Sequence, residues 1–568
     1  MSFIAANFAP IMFVGLVCFL ILGFPVSFSL GAAGLFFGVL GISVDLFPPI
    51  ILAWLPERLI GIMANETLLA VPFFTFMGLI LERSGMAEDL LDTVGQVFGP
   101  VRGGLAFAVI FVGALLAATT GVVSASVISM GLISMPIMLR YGYSRSLTSG
   151  VIAASGTLAQ IIPPSLVLIV LADQIGRSVG DMYRGAFVPA FVLVALYAVW
   201  VGLLALFRPA STPALPAEAR TFQEPNGHHG YRSLTILFVL SFAVSILTAR
   251  HLATIQTWWT GHLVETVPTD EKIVIAACAG AFLAWLVAVI SRVAHVKLLS
   301  QLAERVTFVL IPPLLLIFLV LGTIFLGVAT PTEGGAMGAM GALILALARR
   351  RISFDLFKQA LTVTTKLSSF VMFILIGATV FSMVFQAADG PRWVESLMQH
   401  LPGGHVGFLI VVMLMVFLLA FFLDFFELSF IVVPIIAPIA ENMGIDLIWF
   451  GVLLAINMQT SFLHPPFGFA LFYLRSVAPE EEYTDPVTHK KMAPVTTMQI
   501  YKGSIPFLVL QLTMVGILIA FPGLVTGSLP KHGPVDMDAA GSMTLEQLDD
   551  AGTYGSGSLY GPDADTGR

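Results

Sequence analysis

The sequence predicts an all-α polytopic membrane protein made of two inverted-topology repeats, each with a re-entrant hairpin and a broken helix. Three observations predict it. First, 57% of the 568 residues are hydrophobic and only 11% are charged, against about 25% charged in an ordinary soluble domain. Second, apolar runs near or above the roughly 20 residues that cross a bilayer recur, for example at 11–44, 187–206, 307–328 and 504–521. Hairpins and broken helices included, the chain reads as about 12 to 14 crossings. Third, setting each residue against the one 302 positions later pairs Pro136 with Pro438, Gly142 with Gly444, Pro163 with Pro465 and Pro164 with Pro466. After a polar insertion at 479–492 the match resumes, MYRG at 182–185 facing IYKG at 500–503.

These boundaries divide the chain into a first half at 1–207, a joining segment at 208–300, a second half at 301–527 and a tail at 528–568. The opening MSFIAANFAP lacks the basic region and cleavage site of a signal peptide, so it is expected to begin the first helix. The stretch 103–139 holds no charged residue, and its middle is ATTGVVSAS. Too long for one span and interrupted by small polar residues, it is expected to form a hairpin with its tip near Thr120 and Gly121, and with Ser124 just beyond.

A broken helix at 146–172 follows, carrying SGTLAQIIPPS, and a second is expected at 447–474, carrying NMQTSFLHPPF. A proline pair removes two backbone donors and disfavours helix just before it, so Ile162 and His464 are expected to end half-helices and leave carbonyls free. At membrane depth such groups must be paired or line a cavity where something else pairs with them. A sodium ion and a substrate would serve. Just upstream stand Ser155, Gly156 and Thr157 in the first half, and Asn457, Gln459, Thr460 and Ser461 in the second. Hydroxyls, amides and unwound carbonyls are the neutral oxygen ligands a hard cation prefers. The competing explanation is that small polar residues merely hold helices together.

The joining segment opens with RPASTPALPAEA and has two apolar runs, 234–247 and 273–290, expected to form an added helical hairpin. Its GHHG at 227–230 has the wrong spacing for a helical metal pair and is expected to be a solvated loop. In the second half, Glu333 is the only charge between Val306 and Ala348. Thr330, Pro331 and Glu333 are expected to start a helix as cap, first-turn proline and dipole partner.

The second hairpin, 404–440, breaks at FFLDFFELS, which places Asp424 opposite Val122. An acid inside so apolar a run is costly and usually functional, so Asp424 and Glu427 are candidates for binding a coupling cation or substrate or carrying a proton. For Glu427 the alternative is a position facing water at the hairpin's edge.

Short cytoplasmic loops are rich in Lys and Arg. RYGYSR, with Arg140 and Arg145, is therefore expected inside, as are Arg349 to Arg351 and the group Arg292, Lys297 and Arg305; ENMGID, with Glu441 and Asp446, is expected outside. Span parity is consistent only if the halves have opposite topology, a hallmark of secondary transporters. Cys18 and Cys278 both lie in apolar runs, which argues against a disulfide framework or a cysteine metal site. No GxxxxGK[ST] loop is present, so direct energising by ATP is not expected. Seven acids follow Pro530, against Lys531 and Arg568, in a tail expected to be disordered.

At these motifs the sequence resembles the large membrane subunit of tripartite ATP-independent periplasmic (TRAP) transporters. The resemblance rests on GFPVSFSLG, PFFTFMGLILERSGMAEDL, GYSRSLTSGVIAASGTLAQIIPPS, TPTEGGAMGA and INMQTSFLHPPFGFALF, and it covers both halves. It implies an elevator-type permease in the bacterial inner membrane, not an enzyme, in which sodium drives uptake of an organic anion, often a carboxylate. Two protein partners are implied, a small membrane subunit of about four helices and a soluble periplasmic substrate-binding protein; membrane lipid surrounds the chain, and no nucleic acid is involved.

By position, the family's first-hairpin SGSS falls on Thr120, Gly121, Val122 and Val123, and its GGTL on Ser155 to Leu158. Its NLxxGxxTPPxG falls on Asn457 to Gly468, with Met458, Ser461 and His464 departing from the pattern. The expected sodium sites are thus Thr120, Ser155, Gly156 and Thr157 for one, and Asp424, Asn457, Thr460 and Ser461 for the other. Substrate is expected at Thr120, Gly121, Ser124, Asp424 and Glu427. The length resembles a larger branch linked with 2-oxo acids, mannitol or chloroaromatic acids. Two alternatives stand beside this reading: a stand-alone sodium/dicarboxylate symporter, and an intramembrane hydrolase using Asp424 and Glu427.

Overall fold

In the computed structural model, which describes residues 7–220, 230–261, 267, 269–294, 298–399, 402–421 and 423–529, nine helices among the described residues are long and apolar enough to cross a membrane. Shorter apolar helices occupy Phe8–Leu20, Gly104–Thr119, Gly404–Leu419 and Leu447–Ser461, and Phe425–Ile431 and Val433–Asn442 are bent by 53° at their junction. The run 11–44 is two helices, Phe8–Ile21 and Val26–Ser43, because Gly23 turns left-handed at φ 79° and Pro25 caps the second.

The joining segment forms helices Tyr231–Thr260 and Thr269–Val293. They pack where Gly280 lies against Ser241 and Ser245, and the second helix reaches Gln301–Phe325, where Val274 meets Gly322. Residues 227–229 of GHHG and the tail from 530 lie outside the described residues. Among the described residues the fold departs from all-α at one place: within the polar insertion, Tyr483–Thr484 pairs antiparallel with Lys491–Met492.

The first hairpin is Gly104–Thr120 and Val123–Arg140, turned at Gly121 with φ 58°. The first broken helix runs Arg145–Thr157, a short 3-10 turn at Leu158–Gln160, the proline pair, and Leu166–Gln174; the second runs Leu447–Ser461 and Phe469–Val477. Both Pro163–Pro164 and Pro465–Pro466 are cis. Helix stops at Gln160 and Ser461, short of the expected Ile162 and His464. A following proline disfavours the α region for the residue before it, and the last turns tighten, with Ile161 N donating to Leu158 O at 3.1 Å and Leu463 N to Thr460 O at 3.2 Å.

The two broken helices run antiparallel. Arg177, just after the first, pairs with Glu441, just before the second, at 2.7 Å. At the other end, Arg145 donates to the carbonyl of Ala493 at 3.3 Å, beyond the second helix. Midway, Gln459 Nε2 donates to Thr157 Oγ1 at 3.2 Å, and these two residues stand 302 positions apart. A residue bonded to its own repeat mate places a pseudo-two-fold axis between the pair. The flanking helices obey the same symmetry. The backbones of Gly150 and Gly503 touch, and their mates are neighbours through a side chain: Val452 Cγ2 lies 3.7 Å from where a side chain on Gly185 would begin.

Charges sort by face accordingly. Arg140 pairs with Asp485 at 2.9 Å and lines a cavity with Asp92, which pairs with Arg305 at 2.8 Å. Asp89 pairs with Arg349 at 3.4 Å and with Arg351 at 3.1 Å. The positive-inside rule makes this the cytoplasmic face. ENMGID lies on the opposite face, beside Arg177.

Two outcomes follow from this packing. A side chain on Gly503 would meet the Ser146 carbonyl, whereas Gly516 has nothing within 4 Å. Gly503→Val is expected to cost about 1–3 kcal/mol by overpacking, read as a lowered unfolding midpoint of the purified protein, with Gly516→Val as the unchanged control. Asp485 concerns the insertion. Burial pushes its carboxyl up, but hydrogen bonds from Thr488 and the Arg140 guanidinium outweigh that and hold it at about 2. A depressed carboxyl stabilises the fold above its unfolded value of about 3.9 and loses that effect as pH falls through the folded value. Protease resistance of the 479–496 segment is therefore expected to be full above about pH 4 and to fall between there and about pH 2, while Asp485→Asn loosens the segment at neutral pH.

Candidate functional site: two helix breaks closed by hairpin tips

Each break is covered by the tip of its own repeat's hairpin. In the first repeat the glycine of the tip packs directly on Leu166, the first residue beyond the break. A side chain on Gly121 would lie 2.9 Å from Leu166 Cγ and 3.4 Å from Leu166 N. The arms sit equally close, Gly113 against Ser155, and Gly156 3.0 Å from Val127 N by the same measure. In the second repeat the closure is aromatic: His464 stacks on Phe421 at 4.5 Å and meets Phe417 edge-on at 5.4 Å. Asn457 Nδ2 donates to the Met413 carbonyl of the hairpin arm at 2.7 Å.

The hydroxyls upstream of the second break spend their protons on their own helix. Thr460 donates to Asn457 O and Ser461 to Met458 O, each at 2.6 Å, which leaves oxygen lone pairs as what they offer a ligand. Ser155 is fully buried, and among the described residues its Oγ has no partner. Thr157 is different. It donates to Ala154 O at 2.8 Å and accepts from Gln459 at 3.2 Å and Gln511 at 3.3 Å, so its hydroxyl is saturated. Gln511 also donates to Tyr197 OH at 2.8 Å. Sequence reasoning missed Gln511 and Tyr197; the only signal was one amide within IPFLVLQLTM. Of Thr120 only the backbone, at the end of the first hairpin arm, lies within the description.

Asp424 and Glu427 do something the sequence reading did not foresee. Glu427 N donates to Asp424 Oδ1 and Asp424 N to Glu427 Oε2, both at 2.9 Å, a reciprocal capping box at the start of Phe425–Ile431. Glu427 is only 8% exposed, which corrects the alternative that it faces water. Among the described residues neither acid hydrogen-bonds Asn457, Thr460 or Ser461. The expected cap at Thr330 and Glu333 is present in the same form.

The repeat mate of this capping box has no such cap among the described residues. Val122 precedes Val123–Arg140, and among the described residues no side chain caps that helix. Ser165 precedes Leu166–Gln174 but turns its hydroxyl to Gln160 O at 2.7 Å, so that helix is uncapped too. Because Gly121 touches Leu166, two uncapped helix N-termini, with Ser124 in the first turn of one, meet at the first break. Helix N-termini carry partial positive charge and free N–H donors, a setting that favours an anion.

Residues 13–524 match the family described as Tripartite ATP-independent periplasmic transporter, DctM component. The chain belongs to this family. A TRAP large permease is a multi-pass inner-membrane transport protein, and the crossing helices here are its membrane body. The chain is 27% identical over 450 residues to the C4-dicarboxylate TRAP transporter large permease protein DctM of Pseudomonas aeruginosa, covering 79% of this chain and 85% of that one. It is 25% identical to the protein of the same name from Vibrio cholerae, covering 91% and 94%. The 2,3-diketo-L-gulonate TRAP transporter large permease protein YiaN of Escherichia coli is 23% identical, covering 83% and 90%.

The cap geometry separates charge from hydrogen bonding at Asp424. Asp424→Asn keeps a good cap while deleting the charge, so its unfolding midpoint is expected to stay near wild type. Asp424→Ala is expected to cost about 1 kcal/mol.

Proposed function

We propose that this TRAP permease imports an organic anion bearing a carboxylate, delivered by a periplasmic binding protein and driven by sodium, together with a small membrane subunit. The observation that carries this reading is the meeting of two uncapped helix N-termini at the first break, while the mate of one is filled by the chain's own carboxylates. A substrate carboxylate would take at the first repeat the place that Asp424 and Glu427 take at the second. The relatives named for C4-dicarboxylates and for 2,3-diketo-L-gulonate support an acid as cargo.

For sodium, the donor set fits. Ser155 Oγ and the Gly156 carbonyl, with Thr120, would serve one ion; the oxygen lone pairs of Asn457, Thr460 and Ser461 would serve another. The saturated Thr157 would act mainly by holding the two broken helices together, and Asp424 by holding the hairpin tip. Sodium bound behind the tips would order them over the substrate, and linkage makes the effect reciprocal. The closed pair of breaks, carried with its hairpins, would then move as a unit in an elevator. Carboxylates committed to capping argue against a hydrolase. The stand-alone symporter differs in one measurable respect, transport of free substrate.

Uptake into proteoliposomes tests this. The expected result is uptake only with the binding protein, the small subunit and a sodium gradient all present, and Asn457→Ala is expected to raise the sodium needed for half-maximal rate about tenfold. Uptake of free substrate, or uptake that persists without sodium, contradicts it.

A further inference from the structure

The added helical hairpin does more than lengthen the chain. Together with Gln301–Phe325 and Pro331–Ala348, its second helix, Thr269–Val293, encloses an open groove of about 700 Å³. The walls are apolar, formed by Phe282, Trp285, Leu315, Leu319 and Ile344 among others, and the charged lining residues are Arg292 and Arg349. From Phe282 to Arg292 the helix rises about 15 Å, half of the roughly 30 Å hydrocarbon core. The groove thus has the depth of one leaflet, with its cations on the cytoplasmic side, where Arg349 pairs with Asp89.

The two arginines are not equivalent. Arg349 is tied to Asp89 at 3.4 Å and to the carbonyl of Phe308. Arg292 lies over the Phe308 ring at 5.1 Å and forms no ion pair among the described residues. A cation held at headgroup level at the mouth of a leaflet-deep apolar groove, without a carboxylate of its own, is complementary to a lipid phosphate above acyl chains.

We propose that this groove binds one anionic phospholipid of the cytoplasmic leaflet, its headgroup phosphate on Arg292 and its acyl chains along Phe282, Trp285 and Leu319. A transmembrane helix of another protein fits less well, because it needs an apolar track across both leaflets and this groove spans one.

The test is native mass spectrometry of the full-length protein, purified with whatever subunits accompany it, partly delipidated and exposed to phosphatidylglycerol or phosphatidylethanolamine. The wild type is expected to retain phosphatidylglycerol about fivefold over phosphatidylethanolamine, the preference conferred by one arginine near the surface. Arg292→Gln is expected to bring the ratio to parity. Ile344→Trp, at a position 56% exposed in the groove wall, is expected to lower retention of both lipids by filling the space. Parity in the wild type overturns the proposal. So does an unchanged preference in Arg292→Gln, or an Ile344→Trp variant that keeps its lipids but sheds an accompanying subunit.

Discussion

The structure depends on one constraint: a helix interrupted inside a bilayer leaves backbone groups that lipid cannot satisfy. Two proline pairs interrupt two helices here, and the surrounding architecture covers the result. Hairpin tips sit on the breaks, through the close approach of Gly121 to Leu166 in one repeat and through Phe421 stacked on His464 in the other. The antiparallel crossing is pinned at its centre by Gln459 on Thr157, with Gln511 and Tyr197 extending the network. A buried hydroxyl and two amides are costly in so apolar a place; the amide nitrogens and the hydroxyls bond one another, and among the described residues Gln459 Oε1 and Gln511 Oε1 have no partner.

Within that frame the repeats have diverged in a chemically consistent direction. Val122 and Asp424 are mates, as are Ser155 and Asn457. The second repeat supplies its own acceptors and donors: Asp424 and Glu427 cap their helix, and Asn457 holds its hairpin arm. Among the described residues the first has no side-chain cap on the helices that begin at Val123 and Leu166, and its Ser155 Oγ is unpartnered. On the proposed function, a capped half and an uncapped half, facing each other across a pseudo-two-fold, would give a substrate anion one preferred place.

Much of this was legible in the sequence because helix breakers report on the backbone directly. The proline pairs at a fixed offset, the glycine tip at Gly121 and the TPTE helix start are local signals with local consequences, and each marks the feature found there. What the sequence did not reveal depends on partners distant in the chain. Asp424 and Glu427 are three residues apart, a spacing that serves capping as well as ion binding, and only the helix start at Phe425 distinguishes them. The saturation of Thr157 required Gln511 to arrive from a helix more than 300 residues away. The close packing of Gly113 and Gly156 depends on where Ser155 and Val127 lie. Ser461 and His464 depart from the family pattern, and the structure accounts for both: one hydroxyl bonds Met458 O, and one ring completes an aromatic lid.

The inverted crossing of the two broken helices is the central claim, and sidedness tests it most directly. Tyr141 and its mate Met443 each follow the second arm of a hairpin and are both partly exposed. With Cys18 and Cys278 replaced, a single cysteine at either position can be probed in oriented vesicles with a membrane-impermeant maleimide. Labelling of Tyr141→Cys only from the cytoplasmic side and of Met443→Cys only from the periplasmic side is predicted. Labelling of both from the same side would contradict the account.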